Sequence, residues 1–241
     1  MTAFGALVVV TLRALLGRRR TLLMVLLAAL PVIVGLLIRL GGGRPDAPEI
    51  LDTLVIRTVL PLVALVVGTA ALGSEIEDGT VIFVLVKPMA RWRIALAKLL
   101  VAAGLTAVLV VPPILVTGVL LGGTGGASIG IVVGFALAAI AGGCAYAVAF
   151  TTLGILTSRA LVIGLAYTLL WEGVLSGLLE GTRFLSIRQA TLGIAAALTG
   201  EDVGVEPLEP LMSVVIVVVV IVGGFLLATY ALRRFQVRGG D

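Results

Sequence analysis

The sequence predicts an all-α, polytopic membrane protein. Of its 241 residues, 60% are hydrophobic and only 12% are charged, and the mean hydropathy is +1.25. An ordinary soluble domain has about one quarter charged residues. The apolar residues form runs of about 20 or more, which is the length an α-helix needs to cross a hydrocarbon core of about 30 Å. Because lipid offers backbone groups no hydrogen-bond partner, we expect these runs to be helical.

Six membrane spans are predicted, within a single transmembrane domain that covers residues 1–241. Each is an apolar run with few charges, and the runs are separated by segments rich in glycine, proline or charge. The third and fourth are longer than a minimal span, so we expect them to tilt or to continue into water. The six spans are expected at Thr21–Leu40, Leu54–Leu72, Ile94–Leu121, Ile129–Thr157, Ala160–Leu179 and Leu211–Leu232.

The first 20 residues are predicted to form a separate helix at the membrane interface. Arginines at the end of such a helix suit anionic headgroups. A simple extension of the first span is the alternative, because Val9 and Val10 fall outside the apolar face. The residues that recur at helical spacing are Phe4, Leu7, Val8, Leu12, Leu15 and Leu16, followed by Arg18, Arg19 and Arg20.

The basic residues predict a plasma (inner) membrane protein with both termini in the cytoplasm. In this orientation twelve of the 17 basic residues lie inside, and basic loops are retained in the cytoplasm. The inner set is Arg13, Arg18, Arg19, Arg20, Lys87, Arg91, Arg93, Lys98, Arg159, Arg233, Arg234 and Arg238. The outer set is Arg39, Arg44, Arg57, Arg183 and Arg188.

The longest predicted external loop covers residues 180–210. It could hold a short helix, Ile187–Leu198, that lies at the outer interface or dips into it. An ordinary external loop is the alternative.

The composition excludes several kinds of chemistry. The chain has no histidine and a single cysteine, so imidazole catalysis and an internal disulfide are excluded. Neither lysine follows the glycine-rich loop that binds phosphates in nucleotide-hydrolysing enzymes. The sequence therefore predicts no catalytic, cofactor-binding or metal-binding residue, and we expect that the chain by itself is not an enzyme.

One polar stretch, Gly73–Lys98, interrupts the apolar runs between the second and third spans. It reads GSEIEDGTVIFVLVKPMARWRIALAK and holds three acids and four bases. Gly79 allows the backbone to turn sharply after the acids, and Pro88 prevents an unbroken helix from there into the third span. Such a stretch can present one apolar face and a charged edge to a soluble partner. A solvated loop with interfacial charges is the alternative.

The order of residues in this stretch resembles the cytoplasmic segment of ABC transporter permeases of the type-2 class. In that family an acidic pair precedes Gly-Thr, an apolar stretch leads to a proline, and a basic residue and a lysine open the third span. This chain carries the elements in that order, as EIEDGT, FVLVKP, MAR and ALAK, with Lys87 where a small residue is often found. The residues that carry the resemblance are Glu75, Glu77, Asp78, Gly79, Thr80, Pro88, Arg91 and Lys98.

The resemblance implies the permease subunit of an ATP-driven transporter. Residues 73–93 would form a cytoplasmic coupling helix that docks on a separate ABC ATPase subunit, present in two copies. ATP and Mg²⁺ would bind to that partner and not to this chain. A second permease copy, or a homologous permease, would complete the pathway in the membrane lipid, and no nucleic acid is implied. Export is favoured because the chain shows no substrate-capturing domain. The alternative is an ATP-independent channel or a membrane scaffold.

Two weaker signals lie inside the spans. Glu172 is the only acid well inside a predicted span, so it could line a substrate pathway or, beside Trp171, sit among the headgroups. Small residues recur every four positions at Gly130, Gly134, Ala138 and Gly142, which predicts close helix packing either within the chain or between subunits.

Overall fold

The computed structural model describes residues 3–42, 47–77, 90–122, 128–175, 180–200 and 207–234. Helices account for 93% of these residues, and no strand occurs within these ranges. The predicted all-α class is therefore confirmed.

Eight helical elements follow one another along the described ranges. Two of them change register: α3 consists of the α-helical turn Ala47–Ile50, the π-helix Leu51–Val59 and the α-helix Leu60–Glu77, and α6 consists of the α-helix Ala160–Ala166 and the π-helix Tyr167–Leu175. A short 3₁₀ helix, Glu180–Leu185, precedes α7. The other elements are α1 Ala3–Leu15, α2 Arg18–Leu40, α4 Arg91–Gly122, α5 Ile129–Leu156, α7 Ile187–Thr199 and α8 Pro210–Arg234.

Five of these helices are long and apolar enough to cross a membrane, by length and composition. They are α2, α3, α4, α5 and α8, and they match the first four predicted spans and the last one. They are compatible with a multi-pass membrane protein. The predicted fifth span, Ala160–Leu179, corresponds to α6, whose apolar helix over Ala160–Val174 is shorter than the other five.

Helix α1 is separate from α2, so the alternative of an extended first span is wrong. Gly17 has a non-helical backbone (φ −58°, ψ 133°) and interrupts the helix between them. Leu7 and Leu15 are 3% and 2% exposed because this face of α1 packs on α4 and α3. Val10, which lies outside this face, is 58% exposed.

Helix α5 is the centre of the bundle. It packs against α3, α4, α7 and α8. In an apolar stretch of 18 residues 72% of α5 is buried, whereas the corresponding fractions are 22% for α2 and 17% for α8. The predicted stripe of small residues explains part of this packing. A Cβ atom on Gly134 would meet Thr199 of α7, and one on Gly142 would meet Thr191 of the same helix. These two glycines therefore serve packing within the chain.

One end of the bundle is defined by a compact apolar cluster where α1 meets the termini of four long helices. Basic residues adjoin this cluster: Arg91 begins α4, Arg159 follows α5, and Arg233 and Arg234 end α8. We call this end of the bundle the basic end and the opposite end the far end. The cluster comprises Leu7, Leu72, Ile94, Ala95, Ala97, Ile155, Ala228 and Leu232.

The far end differs from the sequence-based prediction in one place and agrees with it in another. The helix of the second span begins at Ala47, so part of the predicted outer loop is helical. Pro48 suits the first turn of a helix, where a missing N–H leaves no hydrogen bond unmade. The short helix predicted within residues 180–210 is confirmed as α7. Its first half is buried against α5 and α8, and it ends at Gly200, whose φ of +69° suits a glycine C-cap.

Candidate functional site

The residues that resemble the coupling segment lie at the basic end, as far as the structure describes them. Glu75 and Glu77 are in the last turn of α3, and Arg91 is the first residue of α4. Helices α3 and α4 pack against each other and both pack on α5. Asp78, Gly79, Thr80 and Pro88 lie outside the described residues. The coupling role of all these residues stays a prediction.

Lys98 occupies a different environment from the other predicted coupling residues. Its side chain is 1% exposed and lies within α4, one turn after the buried Ile94. A buried lysine does not offer a surface to a docked subunit. Any contribution of Lys98 to coupling would therefore act through the packing of the helices around it.

A second group of polar residues meets at the far end, and only Glu172 among them was predicted as a candidate site residue. Three pieces of chain meet there: the π-helix of α3, the π-helix of α6 and the N-terminus of α7. π-Helical turns are rare and are frequently found at functional sites. The polar side chains at this junction, which we call the far-end polar cluster, are Asp52, Arg57, Tyr167, Glu172, Ser186 and Arg188.

Glu172 holds the N-terminus of α7. One carboxylate oxygen accepts hydrogen bonds from the hydroxyl of Tyr167 at 2.7 Å and from the backbone N–H groups of Ile187 and Arg188 at 2.9 and 3.4 Å. The other oxygen accepts a hydrogen bond from the hydroxyl of Ser186. A carboxylate at this position is stabilised by the positive end of the helix dipole. The carboxylate thus satisfies backbone groups that the helix itself leaves without partners.

Ser186 is the N-cap of α7, and it connects the helix to Glu172. Its hydroxyl oxygen accepts a hydrogen bond from the backbone N–H of Gln189 at 3.1 Å while its proton is donated to Glu172. Serine is a preferred N-cap residue for this reason. Ser186 is fully buried and Glu172 is 1% exposed, so the contact between them excludes solvent.

Arg188 and Asp52 form a buried ion pair between α7 and α3. The guanidinium donates a hydrogen bond to one carboxylate oxygen at 2.6 Å, and the two side chains are 6% and 8% exposed. Asp52 Oδ1 and Arg188 Nε are buried and find no hydrogen-bond partner within the described part of the chain. The two charged groups are therefore in contact, but one polar atom of each makes no hydrogen bond. Burial of such charged groups carries a desolvation cost that the contact must offset.

Arg57 completes the junction by joining the two π-helices. Its guanidinium donates a hydrogen bond at 2.8 Å to the carbonyl oxygen of Gly173, which immediately follows Glu172. The backbone N–H of Leu60 shows the π-helical register directly, because it donates to the carbonyl of Val55 five residues earlier. The cluster brings together two acids and two bases, so the charges of these four residues balance.

The structure changes the interpretation of Glu172. The prediction placed it either on a substrate pathway or among lipid headgroups. Its carboxylate is buried and accepts hydrogen bonds from four groups of the chain itself, which is the environment of a residue that positions a helix. Its possible place on a pathway stays a prediction.

Asp52 and Arg188 were missed as a pair by the sequence analysis. Both had been assigned to external segments, where single charges are ordinary. They are 136 residues apart in the chain, and nothing local marks them as partners. The sequence offers one signal for this pair: an isolated acid and an isolated base each lie at the predicted outer end of an apolar run.

Comparison with known proteins gives no family assignment. No protein-family model matches the chain, and no curated protein matches it. The resemblance to type-2 permeases therefore rests on the ordered motif alone.

Proposed function

We propose that this chain is the membrane-spanning permease subunit of an ABC transporter of the type-2 class that works as an exporter. In this proposal the chain crosses the plasma (inner) membrane six times, with α6 as the fifth crossing. A separate ATPase subunit, present in two copies, supplies ATP and Mg²⁺ chemistry. A second permease copy or a homologous permease completes the pathway.

The observation that carries the proposal is the position of the motif between two packed helices. Its acidic part ends α3 at Glu77 and its basic part begins α4 at Arg91. Because α3 and α4 both contact the central helix α5, a displacement of the segment between them would act on the middle of the bundle. This is the mechanical arrangement that a coupling segment requires.

The distribution of charge supports a cytoplasmic position for the same end. Arg91, Arg159, Arg233 and Arg234 all adjoin the basic end, together with the start of α2 at Arg18. Loops rich in lysine and arginine are retained on the cytoplasmic side of a membrane. With this orientation both termini are cytoplasmic and the far-end polar cluster is external.

Co-purification with an ATP-hydrolysing subunit tests the proposal. The chain and the product of a neighbouring ATPase gene are co-expressed, and both the bound ATPase and the rate of ATP hydrolysis are measured after solubilisation. We expect Glu77→Gln and Gly79→Val to reduce either ATPase binding or ATP hydrolysis. Glu49→Gln is the matched control, because Glu49 is an exposed acid at the opposite end of α3.

The results separate the proposal from its alternatives. An ATP-independent channel or a scaffold would purify without an ATPase. If an ATPase does bind, but the variants at Glu77 and Gly79 leave binding and hydrolysis equal to those of Glu49→Gln, the coupling role of the motif is wrong.

A further inference from the structure

A groove runs along the surface of the bundle between α4 and α8, with α5 as its floor. Its wider part, about 350 Å³, is almost entirely apolar, and Leu96, Ala103, Cys144, Val148 and Ile221 are among the residues that line it. Its other part, about 260 Å³, is lined by Trp92, Thr229, Tyr230 and Arg233 at the basic end. Phe225 lines both parts, and Trp92 and Leu96 are one helical turn apart, so the two parts are continuous.

The groove has the dimensions of one membrane leaflet. From Trp92 to Ala103 along α4 the helix rises by about 17 Å, at about 1.5 Å per residue. Half of a hydrocarbon core is about 15 Å thick. A molecule that fills the groove would therefore have its polar part at the membrane surface and its apolar part near the middle of the bilayer.

The polar part of the groove is suited to an anionic group. Arg233 lines it, and within the described residues this arginine has no ion-pair partner. Thr229 also lines it. This residue is 8% exposed, and its hydroxyl oxygen has no hydrogen-bond partner in the part of the chain that the structure describes. The exposed guanidinium of Arg233 supplies the positive charge at this end of the groove.

Two aromatic residues indicate that this polar part lies at the level of the lipid headgroups. Trp92 and Tyr230 belong to the residue types that are enriched where the hydrocarbon meets the headgroups. Arginines stack on both rings: Cζ of Arg93 is 5.3 Å from the centre of the Trp92 ring, and Cζ of Arg234 is 4.6 Å from the centre of the Tyr230 ring. The aromatic rings therefore place the mouth of the groove at the interface, and the basic residue that lines the mouth is Arg233.

We propose that this groove binds one anionic phospholipid of the leaflet at the basic end. The phosphate lies against Arg233, and one acyl chain lies along Phe225 and over Cys144. Basic pockets between membrane helices are known to accept anionic headgroups. A zwitterionic lipid such as phosphatidylcholine would fill the same apolar channel, but its quaternary ammonium group would offset the phosphate charge that faces Arg233. The proposal requires that the chain lies in a membrane, and it is independent of coupling to an ATPase.

Lipid binding to the purified full-length chain tests the proposal. Phosphatidylglycerol and phosphatidylcholine with identical acyl chains are titrated separately into the detergent-solubilised protein, and the one-to-one adducts are quantified by native mass spectrometry. We expect phosphatidylglycerol to bind more tightly by about fivefold or more, which is the effect of one basic side chain near the membrane surface. We also expect phosphatidylglycerol to slow the alkylation of Cys144, which is the only cysteine in the chain.

Three variants separate a site from a general surface charge. Arg233→Gln should abolish the preference for phosphatidylglycerol. Arg234→Gln removes the same charge one residue away and should retain most of the preference, because Arg234 does not line the groove. Ala103→Phe fills the apolar part and should weaken both lipids. Thermal unfolding of each variant in detergent verifies that it is folded.

Each of four results would overturn the proposal. Equal binding of the two lipids by the wild-type chain would exclude a preference for the anionic headgroup. Equal losses in Arg233→Gln and Arg234→Gln would show that only the overall surface charge matters. Wild-type binding by folded Ala103→Phe, or unchanged alkylation of Cys144, would exclude the groove as the position of the acyl chain.

Discussion

Removal of one partner from the Asp52–Arg188 ion pair should strongly destabilise the protein. Both side chains are less than one tenth exposed, and they connect α3 to the N-terminus of α7 at a distance of 2.6 Å. Asp52→Leu leaves a buried guanidinium, and Arg188→Leu leaves a buried carboxylate. Breaking a buried pair in this way typically costs roughly 3 to 5 kcal/mol.

The double variant should be more stable than either single variant. In Asp52→Leu/Arg188→Leu no charge of the pair remains, and the atoms Asp52 Oδ1 and Arg188 Nε, which have no hydrogen-bond partner among the described residues, are also removed. Replacement of a whole buried pair by apolar residues is often neutral or stabilising. The interaction energy from the double-mutant cycle should therefore be large and opposite in sign to the losses of the single variants.

The assay is thermal unfolding of the purified chain in one detergent, monitored by tryptophan fluorescence. For a chain of this size each kcal/mol shifts Tm by about 2 to 4 °C, so the single variants should lose roughly 6 to 20 °C. Glu49→Gln is the control, since it changes an exposed acid three residues before Asp52. Tm values of the single variants within error of Glu49→Gln, or a double variant whose loss equals the sum of the single losses, would refute the reasoning.

Three further predictions concern the packing of α7. Glu172→Gln places an N–H donor of the side-chain amide against groups that themselves donate hydrogen bonds. This variant should cost about 1 to 3 kcal/mol of unfolding free energy. Equal stability of this variant and of the exposed-site control Glu209→Gln would contradict the prediction. Ser186→Ala removes the N-cap and should cost about 1 kcal/mol, measured in the same unfolding assay. Gly142→Ala should cost about 1 to 3 kcal/mol because its Cβ would collide with Thr191. Gly104→Ala, in α4, is the control for Gly142→Ala. It should be neutral or stabilising, because a Cβ there meets nothing within 4 Å.

The helices themselves were largely predictable because their signals are local. A run of about 20 apolar residues is helical in lipid whatever its neighbours are, since the backbone must satisfy its own hydrogen bonds. The break between the predicted fourth and fifth spans, at Ser158 and Arg159, is likewise local, because it interrupts two apolar runs. The helix that begins at Ile187 was one of two alternatives for its segment. The separate helix α1 could be anticipated from spacing, but only the backbone at Gly17 decided between two predicted arrangements.

The register of two helices and the pairing of their charges were not predictable. Nothing in the composition of Leu51–Val59 or Tyr167–Leu175 distinguishes a π-helix from an α-helix. The contacts that accompany the π-helical register come from distant parts of the chain, such as the hydrogen bond from Arg57 to the carbonyl of Gly173, 116 residues away. Glu172 was recognised as unusual, but its partners on α7 lie beyond the reach of any local pattern.

The sequence by itself determined the helical class, the approximate ends of the long helices and the polar stretch between α3 and α4. These follow from length, apolarity and the position of charges, which act within one segment at a time. The tertiary structure decided which faces meet, because in a membrane helix nearly every face is apolar and periodicity does not select one. It also decided that Asp52 faces Arg188 and that Arg233 lines the groove, since the surroundings of a charge are set by neighbours that the chain brings from elsewhere.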